Sequence, residues 1–159
     1  LLDRPFKIGD WVIFDSVEGE VCEISLRTTL VRTAADTIVT VPNANLVNTP
    51  VENFGKRRWR RWQTTLHLDL NSDPAGVAQF CDQVLQAIHD NPVTVKHESS
   101  WCQASTLTAT SLDIAVNLYW DVAGGAPERK AKEELVLGIM QLAKDNKLSF
   151  YDPRMVQSS

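Results

Sequence analysis

The chain has 159 residues, 43% of them hydrophobic, and a formal net charge of −4. That length fits one medium domain or two small ones, and the apolar content excludes an intrinsically disordered chain. No run of about 18 apolar residues is present, so no stretch reads as a membrane-crossing helix, and the acidic balance disfavours general nucleic-acid binding.

Charge is uneven along the chain: residues 1–61 carry a net +1 and residues 62–159 a net −5. The break falls at Lys56-Arg57-Arg58-Trp59-Arg60-Arg61-Trp62, where the hydrophobic pattern also changes, and it predicts a domain boundary after Arg61. Leu1-Leu2 leads directly into charged Asp3-Arg4, unlike a signal peptide. The missing initial Met points to an excised piece or a processed terminus. Cys22, Cys81 and Cys102 are odd in number and lack C-x-x-C spacing. They read as buried reduced thiols rather than a zinc site or a disulfide framework.

In chain order, Gly9-Asp10 marks a turn and residues 11–14 begin a strand. Glu18-Gly19 reads as a tight hairpin turn into a strand over 20–25. Three β-branched runs, 21–25, 28–33 and 38–41, lie between turn signals and predict an antiparallel meander, with its second turn at Ala35-Asp36. Pro42-Asn43 ends the ladder, because proline lacks the N–H and Asn favours a turn or cap. A short helical turn or loop over 42–47 and a last strand over 51–54 follow. Five short strands in about fifty residues make a small curved barrel or sandwich.

From Trp62 the alternation is clean. Trp62, Thr64, Leu66, Leu68 and Leu70 face one way, and Gln63, Thr65, His67 and Asp69 face the other. Asp73 is the expected N-cap and Pro74 the first residue of a helix, whose stripe is Val77, Phe80, Cys81, Val84, Leu85 and Ile88. Residues 93–100 fit either an extra strand or a loop, and 101–107 a strand. A second alternating strand over 112–122 places Leu112, Ile114, Val116, Leu118 and Trp120 opposite Asp113, Asn117, Tyr119 and Asp121. Gly124-Gly125 is a break, Pro127-Glu128 opens a second helix, and 148–151 forms a last short strand. The order strand, helix, strand, strand, helix, strand is the ferredoxin-like α+β arrangement, with both helices on one sheet face.

The chemistry-bearing residues are sparse. His67 and Asp69 share a wet strand face, but no third ligand has matching spacing. His89 and His97 read as dipole or surface histidines. No Ser lies in a nucleophile elbow, and Gly124-Gly125 lacks the spacing of a phosphate loop. The reading is therefore of no enzyme, no cofactor and no metal. The basic–aromatic strip 56–62 fits an interdomain strand with solvated charges and packed Trp, a lipid or subunit contact, or an RNA-binding surface of phosphate contacts and stacked bases.

The motifs Arg4-Pro-Phe-Lys-Ile-Gly-Asp-Trp-Val12, Gly19-Glu-Val21, Arg27-Thr-Thr29, Val41-Pro-Asn43 and Asn53-Phe54 occur in order. With Leu70-Asn-Ser-Asp-Pro74 and Phe150-Tyr-Asp-Pro153, they resemble the cytoplasmic region of small-conductance mechanosensitive ion channels. That resemblance implies an all-β Sm-like small barrel over 1–61, with the end of a pore helix at 1–3, followed by the ferredoxin-like domain over 62–159. It implies a homoheptamer in the inner (plasma) membrane, held there by upstream helices, with these domains forming a vestibule that faces the cytoplasm. Ions and small osmolytes would pass through it during osmotic downshock, and no nucleic acid is expected as a partner. Pro42, Asn43, Asn53, Phe54, Arg57 and Arg58 would serve assembly. The segment 91–100 is longer than the family pattern, and the tail after Pro153 is short for the further strand the family carries there. Seven copies at −4 would carry roughly −28, a bias on ion passage if Asp69, Asp113 and Asp121 line the chamber. The alternative is an Sm-like RNA-binding module that uses the strip 56–62.

Overall fold

β-branched residues and short turns build the first unit as an antiparallel meander. The computed structural model describes residues 4–57 and 59–154, and internal contacts divide the chain into units 1–58 and 59–159. In the first unit β1 (Trp11–Phe14), β2 (Val17–Ile24), β3 (Thr28–Arg32) and β4 (Ile38–Pro42) pair in sequence order. A helical turn, α1 (Asn43–Leu46), then leads to β5 (Glu52–Asn53), which returns to pair with β1. The sheet order is β4-β3-β2-β1-β5.

The hairpin turn expected at Glu18-Gly19 lies instead at Asp15 and Ser16, where Asp15 takes φ 51°. Asp tolerates this left-handed conformation because its short side chain can bond locally. Glu18 and Gly19 lie inside β2, opposite Ile13 and Val12. Gly19 is needed there for a different reason: a Cβ would fall 2.3 Å from the Arg32 carbonyl oxygen. The glycine lets strands approach more closely than a side chain allows.

The inward side chains of this unit are few: Phe6, Val12, Phe14, Val21, Val31 and Val41. Each contributes about 1.5–3 kcal/mol on burial, little against the chain entropy of a unit this small. Polar ties therefore carry unusual weight. Asp10 is only 5% exposed, and its Oδ2 accepts the Lys7 N–H at 3.0 Å and the Asn53 Nδ2 at 2.9 Å. Asn53 also donates to the Pro5 carbonyl and accepts from the Gly55 N–H. One asparagine thus ties β5 to the segment leading into β1.

The second unit begins earlier than the boundary expected after Arg61, because Arg60 and Arg61 already pair in β6 (Arg60–Leu68). The helix α2 (Pro74–Asp90), β7 (Thr94–Val95), β8 (Trp101–Leu107), β9 (Leu112–Trp120) and α3 (Gly125–Asp145) follow. Asp73 caps α2 through the Gly76 N–H. β6 and β9 run antiparallel from Arg60↔Trp120 to Leu68↔Leu112. β7 and β8 both pair along the other side of β9. The ambiguous residues 93–100 are therefore part strand and part 3-10 turn, the latter at His97–Ser99. The final strand reduces to one bridge, Leu68↔Phe150, flanked by Asp69 N–H to Ser149 O and Tyr151 N–H to His67 O.

Both helices cover one sheet face. Phe80, Val84 and Ile88 of α2 and Leu135 and Ile139 of α3 share a core with Leu68, Ile114, Val116, Leu118 and Trp120. Leu70, expected inside, is 44% exposed, because the strand ends at Leu68 and the alternation no longer applies. Cys81 and Cys102 are buried as expected, but Cys22 is exposed at a bulge in β2, where Val21 and Glu23 shift register.

Two glycines separate close packing from helix propensity. Gly19→Ala is expected to cost the first unit about 1–3 kcal/mol, since backbone must move. Gly138→Ala, with nothing within 4 Å of the new Cβ, is expected to gain the second unit roughly 1 kcal/mol. Urea titrations following each unit check both signs. Acid supplies a further test. The Asn53 hydrogen bond opposes partial burial and, with the Lys7 N–H and the Lys7 and Lys56 charges, holds the Asp10 carboxyl below its ordinary value. A depressed folded-state value stabilises above the unfolded value of roughly 4 and is lost as pH falls through the folded one. The urea midpoint of the first unit should therefore drop below about pH 4, and drop less in Asn53→Ala.

Candidate functional site

The residues expected at an assembly surface fall around the two edges of the first sheet. Pro42 is exposed and ends β4 opposite Thr28. Asn43 follows it and closes the turn between β2 and β3 through four hydrogen bonds. Its Oδ1 accepts the buried Thr29 hydroxyl at 2.7 Å, and its Nδ2 donates to the Ser25 and Leu26 carbonyls at 2.9 and 3.2 Å. Its backbone N–H donates to Arg27 O. Asn43 thus fastens the β2–β3 turn to the end of β4, and no spare side-chain donor remains. Asn53 is used in the same way around Asp10.

Phe54 begins the 3-10 turn Phe54–Lys56 after β5, with the Arg57 guanidinium 5.3 Å over its ring. Arg58 lies outside the described residues. Beside these edges the unit exposes Ile8, Leu26, Ile38 and Val47, with Leu26 90% exposed. A cleft of about 370 Å³ opens between Arg4, Pro5, Phe6, Asn43, Leu46 and Val47. Among the described residues, β4 and β5 each pair on one side only.

The basic–aromatic strip is engaged within the fold. Lys96 Nζ sits 5.6 Å over the Trp59 ring and 4.4 Å over Tyr119. Arg60 meets Glu128 of α3 at 2.7 Å. Burial works to raise the Glu128 carboxyl, but hydrogen bonds and charge from Arg60 and Lys132 hold it below its ordinary value. Arg61 donates from Nε to Asn117 Oδ1 at 2.7 Å, and Trp62 lies 6.1 Å from Trp120 in a stacked pair. Three of the strip's cations, Arg57, Arg60 and Arg61, thus meet a ring, an acid and an amide within the fold. Strand alternation sends Arg60 and Arg61 to opposite faces, so they do not form one basic surface.

Asn117 was expected on a wet face and is fully buried. Arg61 covers its oxygen, and its Nδ2 donates to Ser99 O at 2.8 Å. The 3-10 turn before β8 thus shields part of the face left free by the helices. His67 pairs with Asp113, not Asp69: Nδ1 and Oδ1 are 2.7 Å apart. The antiparallel register sets them opposite each other. Hydrogen bonds from His67 and Ser111 keep the Asp113 carboxyl below its ordinary value. Asp69 instead accepts the Asn71 N–H in the turn before α2. His89 and His97 stack on each other, 4.8 Å apart, rather than standing singly at the surface. Among the described residues, no three His, Cys, Asp or Glu could hold a metal ion, and no helix is long and apolar enough to cross a membrane. Asp10, Asn117 and the partner of His67 escaped the sequence reading, because each depends on a non-local register.

The arrangement is one of surfaces and internal ties. Residues 1–56 match the family model described as "Mechanosensitive ion channel, beta-domain". An uncharacterized MscS family protein of Aquifex aeolicus is 29% identical over 96% of this chain and 42% of its own length. The low conductance mechanosensitive channel YnaI of Escherichia coli is 28% identical over 95% of this chain and 44% of its own length. The chain thus spans less than half the length of either relative. In fold, the cryo-EM structure of Arabidopsis thaliana MSL1 superposes with a TM-score of 0.84 at 24% identity, over 92% of this chain and 53% of that one. The ordered motifs of the first unit, the β-domain match over those same residues and relatives aligned along nearly the whole sequence agree: residues 1–56 match a mechanosensitive ion channel β-domain, and the chain as a whole is similar to proteins of the small-conductance mechanosensitive ion channel family.

Proposed function

We propose that this chain forms part of the vestibule of a tension-gated channel, on the cytoplasmic side of the inner membrane. Its first unit is an Sm-like small barrel that assembles into a ring, a homoheptamer in the family pattern. Its second unit is a ferredoxin-like domain, a reading supported by the order of its helices and strands and by residues 149–151 lying along β6. Ions and small osmolytes pass through the enclosed space when tension opens a pore contributed by membrane segments.

One observation carries the assembly reading. The first sheet has two open edges, β4 and β5, and the exposed apolar Ile38 stands on one of them. Open edges invite strand addition unless they are blocked. Joining the β4 edge of one copy to the β5 edge of the next is a head-to-tail contact, which closes into a ring when the rotation allows. It also adds buried surface to a unit whose own core is small. In this reading Pro42, Phe54 and Arg57 lie near the contact, with Arg58 beside them in sequence. Asn43 and Asn53 hold the two edges in shape. The carboxylate of Asp113 is held by hydrogen bonds to His67 and Ser111, which leaves exposed Asp121 the freer charge to bias ion passage.

Light scattering on concentrated protein is expected to give the mass of a ring, and Ile38→Lys should shift it toward monomer. A protein that stays monomeric, alone and when fused to the membrane segments of the E. coli relative, overturns the assembly reading. The same chimera, patch-clamped under suction, should carry tension-activated current. Neutralising Asp121 should change its ion selectivity.

A further inference from the structure

The proposed function makes no use of two thiols of the second unit. Cys81 lies on the buried stripe of α2 and Cys102 near the start of β8, and both belong to one core. A cleft of about 800 Å³ opens between these elements, and its lining includes Leu70, Pro74, Val77, Leu107 and both cysteines. The pair is thus buried within the fold yet borders a space that a small molecule can enter. We propose that Cys81 and Cys102 are a reversible thiol pair, oxidised by a low-molecular-weight disulfide that enters this cleft and closing into an intramolecular disulfide that staples α2 to β8.

The two cysteines divide the work. The Cys102 S–H supports negative charge on Cys81 and outweighs burial and the Asp82 carboxylate, so the Cys81 thiol lies below its ordinary value. The Cys102 thiol is pushed up by that same donation, by burial, and by the charges of Cys81 and Asp82. Nucleophilic attack needs a thiolate, which assigns the first step to Cys81. Its sulfur attacks the incoming disulfide, forms a mixed disulfide and expels one small thiol, which takes the first proton. Cys102 then loses its proton, attacks the Cys81 sulfur and expels the second small thiol. Two S–H bonds are exchanged for one S–S bond in the protein, and the small disulfide is reduced to two thiols. Asp82 slows the first step by opposing the thiolate.

The test uses the full chain with Cys22→Ser, which removes the exposed thiol of the other unit. After incubation with glutathione disulfide, alkylation in denaturant and peptide mapping should show both thiols lost together. One cross-linked peptide pair joining Cys81 to Cys102 should appear, and dithiothreitol should restore both thiols. The urea midpoint of the second unit should rise on oxidation, because the bond restrains the unfolded chain. With Cys102→Ala added, the small thiol should remain attached to Cys81. Two thiols that still alkylate, a persistent adduct on Cys81 with Cys102 intact, or first capture at Cys102 overturns the proposal. The doubly reactive Cys22→Ser chain decides the matter even if the second substitution prevents folding.

Discussion

The antiparallel pairing of β6 with β9 is the constraint on which the second unit depends. Its nine-residue register runs unbroken from Arg60↔Trp120 to Leu68↔Leu112. Because side chains alternate across a strand, a slip of one residue would turn both apolar rows away from the helices. The same register places His67 against Asp113 and sends Arg60 toward Glu128. It also sets Gln63 opposite Asn117, two positions from the Arg61 that bonds it. Core, surface pair and buried amide are thus consequences of one alignment.

The first unit solves a different problem. Among the described residues, six buried apolar side chains form its core. Two asparagines compensate by tying segments that are distant in sequence. Asn43 reaches back to the β2–β3 turn, and Asn53 reaches to Pro5 and Asp10. Such ties matter more in a small unit, because a buried polar group left without its partner costs about 1–3 kcal/mol. A scaffold built this way keeps its sheet edges in shape while leaving them open to strand addition. The thiol pair shows the opposite economy in the larger unit, where the core is extensive and a single additional link between α2 and β8 adjusts stability rather than establishing it.

Local patterns in the sequence foretold much of this. β-branched runs located β2, β3 and β4, and strict alternation located β6 and β9. Asp73 followed by Pro74 marked the start of α2, since a carboxylate and a missing N–H both suit unsatisfied helix donors. The misreadings have a common source. Glu18-Gly19 resembles a turn, yet the glycine serves a close approach to Arg32 that only β3 creates. The strip 56–62 resembles a cationic surface, yet Glu128, Asn117 and Lys96 come from remote positions to engage it. Asn117 resembles a solvent-facing residue, yet Ser99 and Arg61 enclose it.

By itself, then, the sequence determined the elements, the faces they bury and the family to which their ordered motifs point. Those properties rest on backbone sterics and on the periodicity of apolar residues, which act over a few positions. Only the tertiary structure decided which polar side chains are spent inside the fold and which edges remain open. It also brought Cys81 and Cys102 to one cleft from either side of a long connection. A hydrogen bond or thiol contact forms within a few ångströms in space, and sequence separation carries no record of that distance.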